Sequence, residues 1–293
     1  MDILCVGTAA YDVILDVPYH PEPDEKMSAS AITQCGGGPA ANAAVAAARL
    51  GCRSAFAGYL GNDFYGEGNF AEFNRDGVET RLIRRGEFPT PLSLILVKPD
   101  GKRTVMNYAP PHPSLSAGDL TLKDFLPQVI LFDGHEPAVS PPLAREARRK
   151  GISTVLDAGS VHPGTQDLLP LVDFAICSEK FAKEYTRRNE PPDMLDALAL
   201  YNSNVVITFG EKGFWWKRKK DSGNLPAFEI QAVDTTGAGD AFHGAFCVGL
   251  IRGMSWRENL RFCCAVAALT CTKTGGRLAL PVQNQVERFL RHI

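Results

Sequence analysis

A chain of 293 residues, 45% of them apolar, is long enough to bury a sizeable core, in one large α/β domain or in two small ones. A formal net charge of −2 gives no electrostatic case for a nucleic acid or an anionic membrane, and no apolar run is long enough to cross a bilayer or reads as a signal peptide. The eight cysteines include no C-x-x-C pair and the six histidines show no ligand spacing, so reduced thiols in a cytoplasmic protein are expected, without a disulfide frame or a zinc site.

In chain order, short apolar runs read as strands at Ile3–Val6, Ser54–Tyr59, Val129–Phe132, Ser153–Leu156, Phe174–Cys177 and Val205–Thr208. Helical stretches fall between many of them, at Pro39–Leu50, Phe64–Arg75, Pro142–Lys150 and Asp193–Tyr201, with Pro39 suited to a first turn and Gly51 to a helix end. This alternation predicts an α/β fold with a mostly parallel central sheet and helices on both faces. Two stretches break it. Val13–Thr33 and Leu92–Tyr108 are strand-like, no helix follows the first strand, and Pro99-Asp100-Gly101-Lys102 signals a hairpin turn. Together they predict a small antiparallel β-sheet projecting from the main body. The basic run Lys217-Arg218-Lys219-Lys220 reads as the solvated turn of another hairpin.

The most specific stretch runs from Val233 to Phe246, where Gly237, Ala238 and Gly239 stand directly before Asp240 and an apolar helical run. Small residues let consecutive N–H groups approach a ligand, and a helix N-terminus adds unpaired donors with partial positive charge. That is a cradle for a phosphate. A carboxylate beside an anion site repels the anion unless it has work there, and the work available is taking a proton from an attacking hydroxyl. For a lone G-x-G-D, a helix N-cap would be the better reading; the whole run points to phosphoryl transfer.

Asp234 to Phe242, Asp-Thr-Thr-Gly-Ala-Gly-Asp-Ala-Phe, resembles the carboxy-terminal signature of the ribokinase-like (PfkB) carbohydrate kinases. Gly36-Gly37-Gly38-Pro39-Ala40-Ala41-Asn42-Ala43-Ala44, closing with Ala48-Arg49-Leu50-Gly51, resembles their second signature. Gly7 through Asp12, Gly61-Asn62-Asp63 with Gly66, and Thr208-Phe209-Gly210 with Gly213 also match, in family order from residue 7 to about 281. The resemblance implies a single kinase domain over 1–293 with a ribokinase-like fold, lid segments at about 13–33 and 92–108, and ATP with Mg2+ as cofactors. It also implies a small-molecule sugar substrate and a homodimer formed through the lid.

By the same resemblance Gly237, Ala238 and Gly239 form an anion hole and Asp240 is the catalytic base. Asp12, Gly37, Gly38 and Asn42 fall in the sugar pocket. A carboxylate such as Asp12 accepts two hydroxyl hydrogen bonds, and glycines let the backbone approach the sugar. Asn42 could otherwise face solvent from an alanine-rich helix, but Ala43–Ala48 reads as buried, where an unpartnered amide is costly. His135, after the strand Val129–Phe132, is a sugar contact or a loop hydrogen bond. Asp157 organises magnesium waters or caps a helix, and Asp63 reads mainly as an N-cap. Thr208, Gly210 and Gly213 resemble the turn beside the ATP phosphates. Val266, Ala267 and Ala268 wall the adenine or simply pack a helix. Asp234, the Thr236 carbonyl and backbone near Gly275 and Ala279 would hold a monovalent cation, K+ in this family, with Ala279 standing where serine is frequent.

The family's N-x-x-E motif, tied to magnesium and phosphate, would fall at Ser178 and Phe181, so the magnesium ligands are unassigned. Ketohexokinases and sulfofructose kinases are similar in lacking it, and Cys271 to Arg277 resembles the latter. No arginine stands near Asp133–His135 to hold a sulfonate, and Lys26 and Asn107 supply only part of such a pocket. A neutral ketohexose or related furanose with a primary hydroxyl is therefore expected. A sulfofructose, sugar-phosphate or nucleoside kinase, or a catalytically silent sugar or nucleotide sensor, are the rivals; retention of Asp240 argues against the sensor.

Overall fold

Strand β1 (Ile3–Val6) leads without a helix into β2 (Ala10–Asp16) and β3 (Ala31–Gly37). Then come α1 (Pro39–Arg49), β4 (Ser54–Gly61), α2 (Phe64–Asp76), β5 (Ile83–Gly86), β6 (Leu92–Val97), β7 (Arg103–Tyr108) and β8 (Val129–Phe132). The second half runs α3 (Ser140–Lys150), β9 (Ser153–Ala158), α4 (Pro163–Leu168), β10 (Phe174–Ser178), α5 (Glu179–Thr186), α6 (Pro191–Ala199) and β11 (Asn204–Thr208). A 3-10 turn (Gly210–Lys212), β12 (Phe214–Arg218), β13 (Asp221–Leu225), α7 (Ala238–Ile251), α8 (Trp256–Thr270) and α9 (Gln283–Arg291) complete it. This computed structural model describes residues 1–111, 114–116, 118–122 and 125–292.

Among the described residues, one sheet has the order β13-β12-β11-β10-β9-β8-β1-β4-β5, parallel from β11 to β5. The β12–β13 hairpin adds two antiparallel strands at its edge, turning at Lys219 and Lys220, while Lys217 and Arg218, expected in the turn, end strand β12. Period-two alternation sorts the strand side chains onto two cores. Ile3, Cys5, Val129, Leu131 and Ile176 meet α1, α7 and α8, while Leu4, Val6, Ile130, Phe132 and Cys177 meet α3, α5 and α6. The mostly parallel sheet with helices on both faces is thus the one expected. The apolar pattern does not predict β5, α4 or α5, because β5 carries Arg84 and Arg85 and the two helices are only 6 and 8 residues long.

The second, smaller sheet has the order β3-β2-β6-β7. It corrects the antiparallel expectation: β2–β3 and β6–β7 are antiparallel hairpins, but β2 and β6 run parallel, with Asp12 opposite Ser93. The chain crosses α1, β4, α2 and β5 between the two hairpins, and such a crossover returns it in the same direction. The hairpin turn falls at 98–102, where Gly101 donates to the Lys98 carbonyl at 2.9 Å with φ +75°. The first lid hairpin reaches beyond its expected segment, β2 starting at Ala10 and β3 running to Gly37, whereas β6 and β7 keep the bounds 92–108.

Candidate active site

Alanines and a glycine bring two helix N-termini together. Every residue of α1 from Ala40 to Val45 is buried, and a Cβ on Gly244 of α7 would lie 2.6 Å from the Ala43 carbonyl. This close approach sets Asn42 against Asp240, whose carboxylate accepts a 2.8 Å hydrogen bond from Asn42 Nδ2. Asn42 is buried, so the solvent-facing reading fails. Its Oδ1 accepts from Arg277 Nε at 3.1 Å. Arg277, fully buried, further donates to the Gly37 carbonyl (3.0 Å), Asn69 Oδ1 (2.7 Å) and Glu72 (3.2 Å), and lies over the Phe73 ring. Sequence reading met this arginine only as the end of the Cys271–Arg277 stretch and gave it no role.

Each of the three consecutive glycines leaves room for something different. A Cβ on Gly36 would meet Arg277 Nη1 at 1.8 Å, and one on Gly37 would meet Asp12 Oδ1 at 2.3 Å. Gly38 takes φ +93° with the Thr8 carbonyl 2.6 Å from its would-be Cβ, a conformation and a space closed to other residues. Gly38 has no side chain to cap α1, and Asp133, the residue after β8, does so, accepting from Ala40 N and Thr8 N at 3.3 and 2.7 Å.

Directly opposed strand residues share a face, so Asp12, Ser93 and Asn107 form one row across the small sheet. Asp12 is 4% exposed and hydrogen-bonded by Ser93, another residue that sequence reading missed. Burial pushes its carboxyl up to about 6. Asn107 and Lys26 are exposed, Lys26 in the loop joining β2 to β3.

Gly237 caps α7 in the left-handed region (φ +75°), and a Cβ there would meet Gly276 Cα at 2.8 Å. Ala241 N–H bonds the Gly237 carbonyl, Ala238 N–H the Thr235 carbonyl, and the N–H groups of Gly239 and Asp240 have no acceptor among the described residues. The lid reaches this loop: Arg103 of β7 donates to the Thr235 hydroxyl, which donates to the Gly101 carbonyl at 3.4 Å. Asp240 is half-buried. Burial first, then the neighbouring Asp157 charge, push its carboxyl up to about 6, against the Asn42 hydrogen bond, His243 and Arg103.

Asp157 of β9 and His243 of α7 are a second buried pair that the motif reading leaves out. His243 Nδ1 lies 2.6 Å from the Gly239 carbonyl and 3.2 Å from Asp157 Oδ2, and Nε2 lies 3.2 Å from the Ile176 carbonyl. Burial pushes Asp157 up to about 8 and His243 down.

The residues suggested for a monovalent cation come together. Asp234 accepts from Thr236 N (2.8 Å) and Gly275 N (2.9 Å), Gly275 accepts from Ala279 N, and the buried Thr236 Oγ1 has no partner. An orphaned buried oxygen beside a carboxylate fits a cation. Magnesium is another matter. Ser178 spends its hydroxyl capping α5, accepting from Phe181 N and donating to the Gly159 carbonyl, and Phe181 is in the core. Among the described residues no three His, Cys, Asp or Glu side chains cluster for a metal, so this position does not fit the family's magnesium motif.

Of the nucleotide candidates, Thr208 ends β11, Gly210 (φ +59°) opens the 3-10 turn and Gly213 (φ +86°) closes it against the Leu225 carbonyl. Val266 is wholly enclosed in the core and offers no surface to a base, whereas Ala268 keeps a little exposure and Ala267 more. His135 is exposed and stacks on His162, ring centroids 4.5 Å apart, while its N–H bonds Asp133. Asp63 caps α2 through Gly66 N at 2.7 Å and also binds Thr90.

Residues 1–283 match the pfkB family carbohydrate kinase description. A ribokinase of Haemophilus influenzae is 29% identical over 300 residues, covering 98% of this chain and 97% of its own length. A fructokinase of Solanum tuberosum is 30% identical over 275 residues, covering 87% and 86%. Among solved structures, the ribokinase of Arabidopsis thaliana complexed with ribose and ATP superposes with a TM-score of 0.82 at 25% identity, covering 99% of this chain and 98% of its own.

Proposed function

From a chain that belongs to the pfkB family of carbohydrate kinases, we propose ATP-dependent phosphorylation of a primary hydroxyl on a neutral small sugar, a ketohexose or related furanose. The observation that carries the reading is the first turn of α7, where a half-buried carboxylate, Asp240, stands beside main-chain N–H groups that have no acceptor among the described residues. Asp240 takes the proton of the attacking hydroxyl. The Gly239 and Asp240 N–H groups, in the Gly237–Ala238–Gly239 turn, stabilise charge on the transferring phosphoryl. Asp12, Gly37 and Gly38 bind the sugar hydroxyls. Thr208, Gly210 and Gly213 line the nucleotide, with Ala267 and Ala268 beside the base.

Asp234, the Thr236 carbonyl and the backbone at Gly275 and Ala279 would hold K+, which supplies positive charge next to the anion hole when bound. Ser178, its hydroxyl committed to capping α5, and Phe181, an apolar core ring, supply no magnesium ligand. The lid outer face supports a homodimer: Val13, Leu94 and Met106 form one cross-strand row, and Ile32, Leu15 and Leu96 another.

Neutral sugars are favoured because the cations near the row Asp12–Ser93–Asn107 are spoken for. Arg277 is bonded on every nitrogen, Arg103 holds Thr235, and Lys26 projects from an exposed loop. A buried anionic substituent left unpaired is heavily penalised. The test is ATP consumption with fructose, ribose, their phosphorylated and sulfonated analogues, and nucleosides, each repeated with Lys26→Ala. A strong preference for an anionic sugar that vanishes in Lys26→Ala would replace this substrate reading with the sulfosugar one. ATP binding with no turnover of any acceptor would favour a sensor.

A further inference from the structure

Arg277 is a cation with no exposed surface, reached through a slot that exists only because residue 36 has no Cβ. Its backbone is clamped from outside, since Arg49 Nη1 donates to the carbonyls of Arg277 (2.9 Å) and Leu280 (3.0 Å) while pairing with Asp76. Replacing a buried ion pair by well-packed apolar groups is often neutral or stabilising, so the Arg277–Glu72 pair is weak grounds for a purely stabilising role. What the guanidinium does instead is fix directions. Its Nε–H, aimed at Asn42, requires that the atom facing it be the amide oxygen. The amide nitrogen must then face Asp240. The flipped amide would set N–H against N–H on one side and oxygen against carboxylate on the other, so only one of the two orientations survives. The Nη2–H meanwhile holds the carbonyl of Gly37, the residue against which Asp12 packs. One planar fork therefore addresses both the proposed base and the backbone of the proposed sugar pocket, which a lysine ammonium cannot do.

We propose that Arg277 is a positioning residue for phosphoryl transfer, acting on Asp240 through the amide of Asn42. The proposal rests on the reading of Asp240 as base. Arg277 makes no contact with Asp240 itself. The groups facing that carboxyl are Asn42 on α1, Asp157 on β9, His243 on α7 and Arg103 on the lid, with Asp12 on β2 sensing its charge. Loss of Arg277 frees the Asn42 amide to turn, weakens its bond to the carboxylate, and so makes Asp240 easier to protonate.

The test is a pH titration of aspartate 13Cγ resonances in the purified full chain, with Asp240 assigned by Asp240→Asn. It is paired with kcat and KM for the best neutral sugar found and for ATP. In Arg277→Met and Arg277→Lys the Asp240 pKa should rise by about one unit, and kcat should fall roughly 10- to 100-fold, with KM for ATP little changed. In an Asn42→Ala background, adding Arg277→Met should move neither quantity much further, because the path is already cut. Should Arg277→Met not fold, Arg277→Lys, which keeps a cation against Glu72, carries the test. Failure of both to fold assigns Arg277 to the fold and overturns the proposal. So does an unchanged Asp240 pKa, or full additivity with Asn42→Ala. The titration needs no sugar, so it decides whether Arg277 acts on Asp240 through Asn42 even in an enzyme that phosphorylates none of the panel, an outcome that would sink the functional reading and with it the catalytic purpose of that coupling.

Discussion

Asn42 donates to Asp240 over 2.8 Å, joining the first turns of two helices that lie 198 residues apart in sequence. The contact follows from side chains too small to keep the helices apart, with Gly244 seated on Ala43 and Ala46. It occupies one oxygen of the Asp240 carboxylate, and the other, with no partner among the described residues, can meet a hydroxyl proton.

Asp240→Asn keeps the shape and the Asn42 neighbour but removes the proton acceptor. Turnover should fall by roughly 10²–10⁴-fold while ATP affinity stays near that of the parent. Rapid-quench measurement of phosphoryl transfer and calorimetric ATP titration check both halves. Near-normal transfer would remove Asp240 from the role of base.

Activity should be lost on the acid side before stability is. Asp240 and Asp12 are both pushed up to about 6 by burial, so both become protonated as pH falls through that value. A protonated Asp240 cannot accept the hydroxyl proton, and a protonated Asp12 loses acceptor capacity for the sugar. With two protonations each inhibiting, log(kcat/KM) should fall below pH 6 with a slope approaching two, and Asp12→Asn should reduce it to one. Their folded values exceed the ordinary 3.8, so the folded state binds more protons than the unfolded state between about 4 and 6. These groups therefore make the fold relatively more stable as pH drops through that window. A melting temperature that collapsed in step with activity between pH 7 and 5.5 would contradict this account.

Gly36→Ala puts a methyl where Arg277 Nη1 now lies, 1.8 Å away. The guanidinium is bonded on all sides and cannot step aside, so overpacking should cost about 1–3 kcal/mol. For a chain of this length that is a fall of several degrees in melting temperature, readable by calorimetry, together with reduced turnover. A Gly36→Ala protein as stable as the parent would mean that Arg277 is not seated there.

How much of this was legible depends on whether the signal is local. Gly237 to Asp240 is contiguous, and its conformation follows from its own residues: a left-handed glycine and the start of an apolar helix. The strand–helix alternation that specifies the large sheet is equally local. Asn42 stands out because an amide inside an alanine run needs a partner. Arg277 gives no such signal. It follows two glycines in a loop, and its partners Gly37, Asn42, Asn69 and Glu72 come from β3, α1 and α2, more than 200 positions away. Ser93 is silent for the same reason, since its meaning arises only when β6 lies parallel to β2. Val266 misleads because Val266, Ala267 and Ala268 are all apolar, so the run itself does not tell which of them is enclosed.

The lid outer face sets the last expectation. Because residues directly opposite across strands share a face, the pairs Val13–Leu94 and Leu94–Met106, and Leu15–Ile32 and Leu15–Leu96, lay down two adjoining apolar rows. Ile32 is 61% exposed and Met106 50%. A contiguous apolar sheet face open to water marks an interaction surface, and a second copy of the same lid is the occupant proposed here. Met106→Glu places a charge on the exposed edge strand of that face, at the end of the Val13–Leu94–Met106 row, without touching the inner row of Asp12, Ser93 and Asn107. Light scattering after size exclusion should show the parent at twice the 31.8 kDa chain mass and the variant at one. The hairpins carrying Asp12 would lose their support, so KM for the sugar should rise more than KM for ATP. A parent that runs as a monomer at micromolar concentration, or a variant that stays dimeric, would remove the lid as the contact.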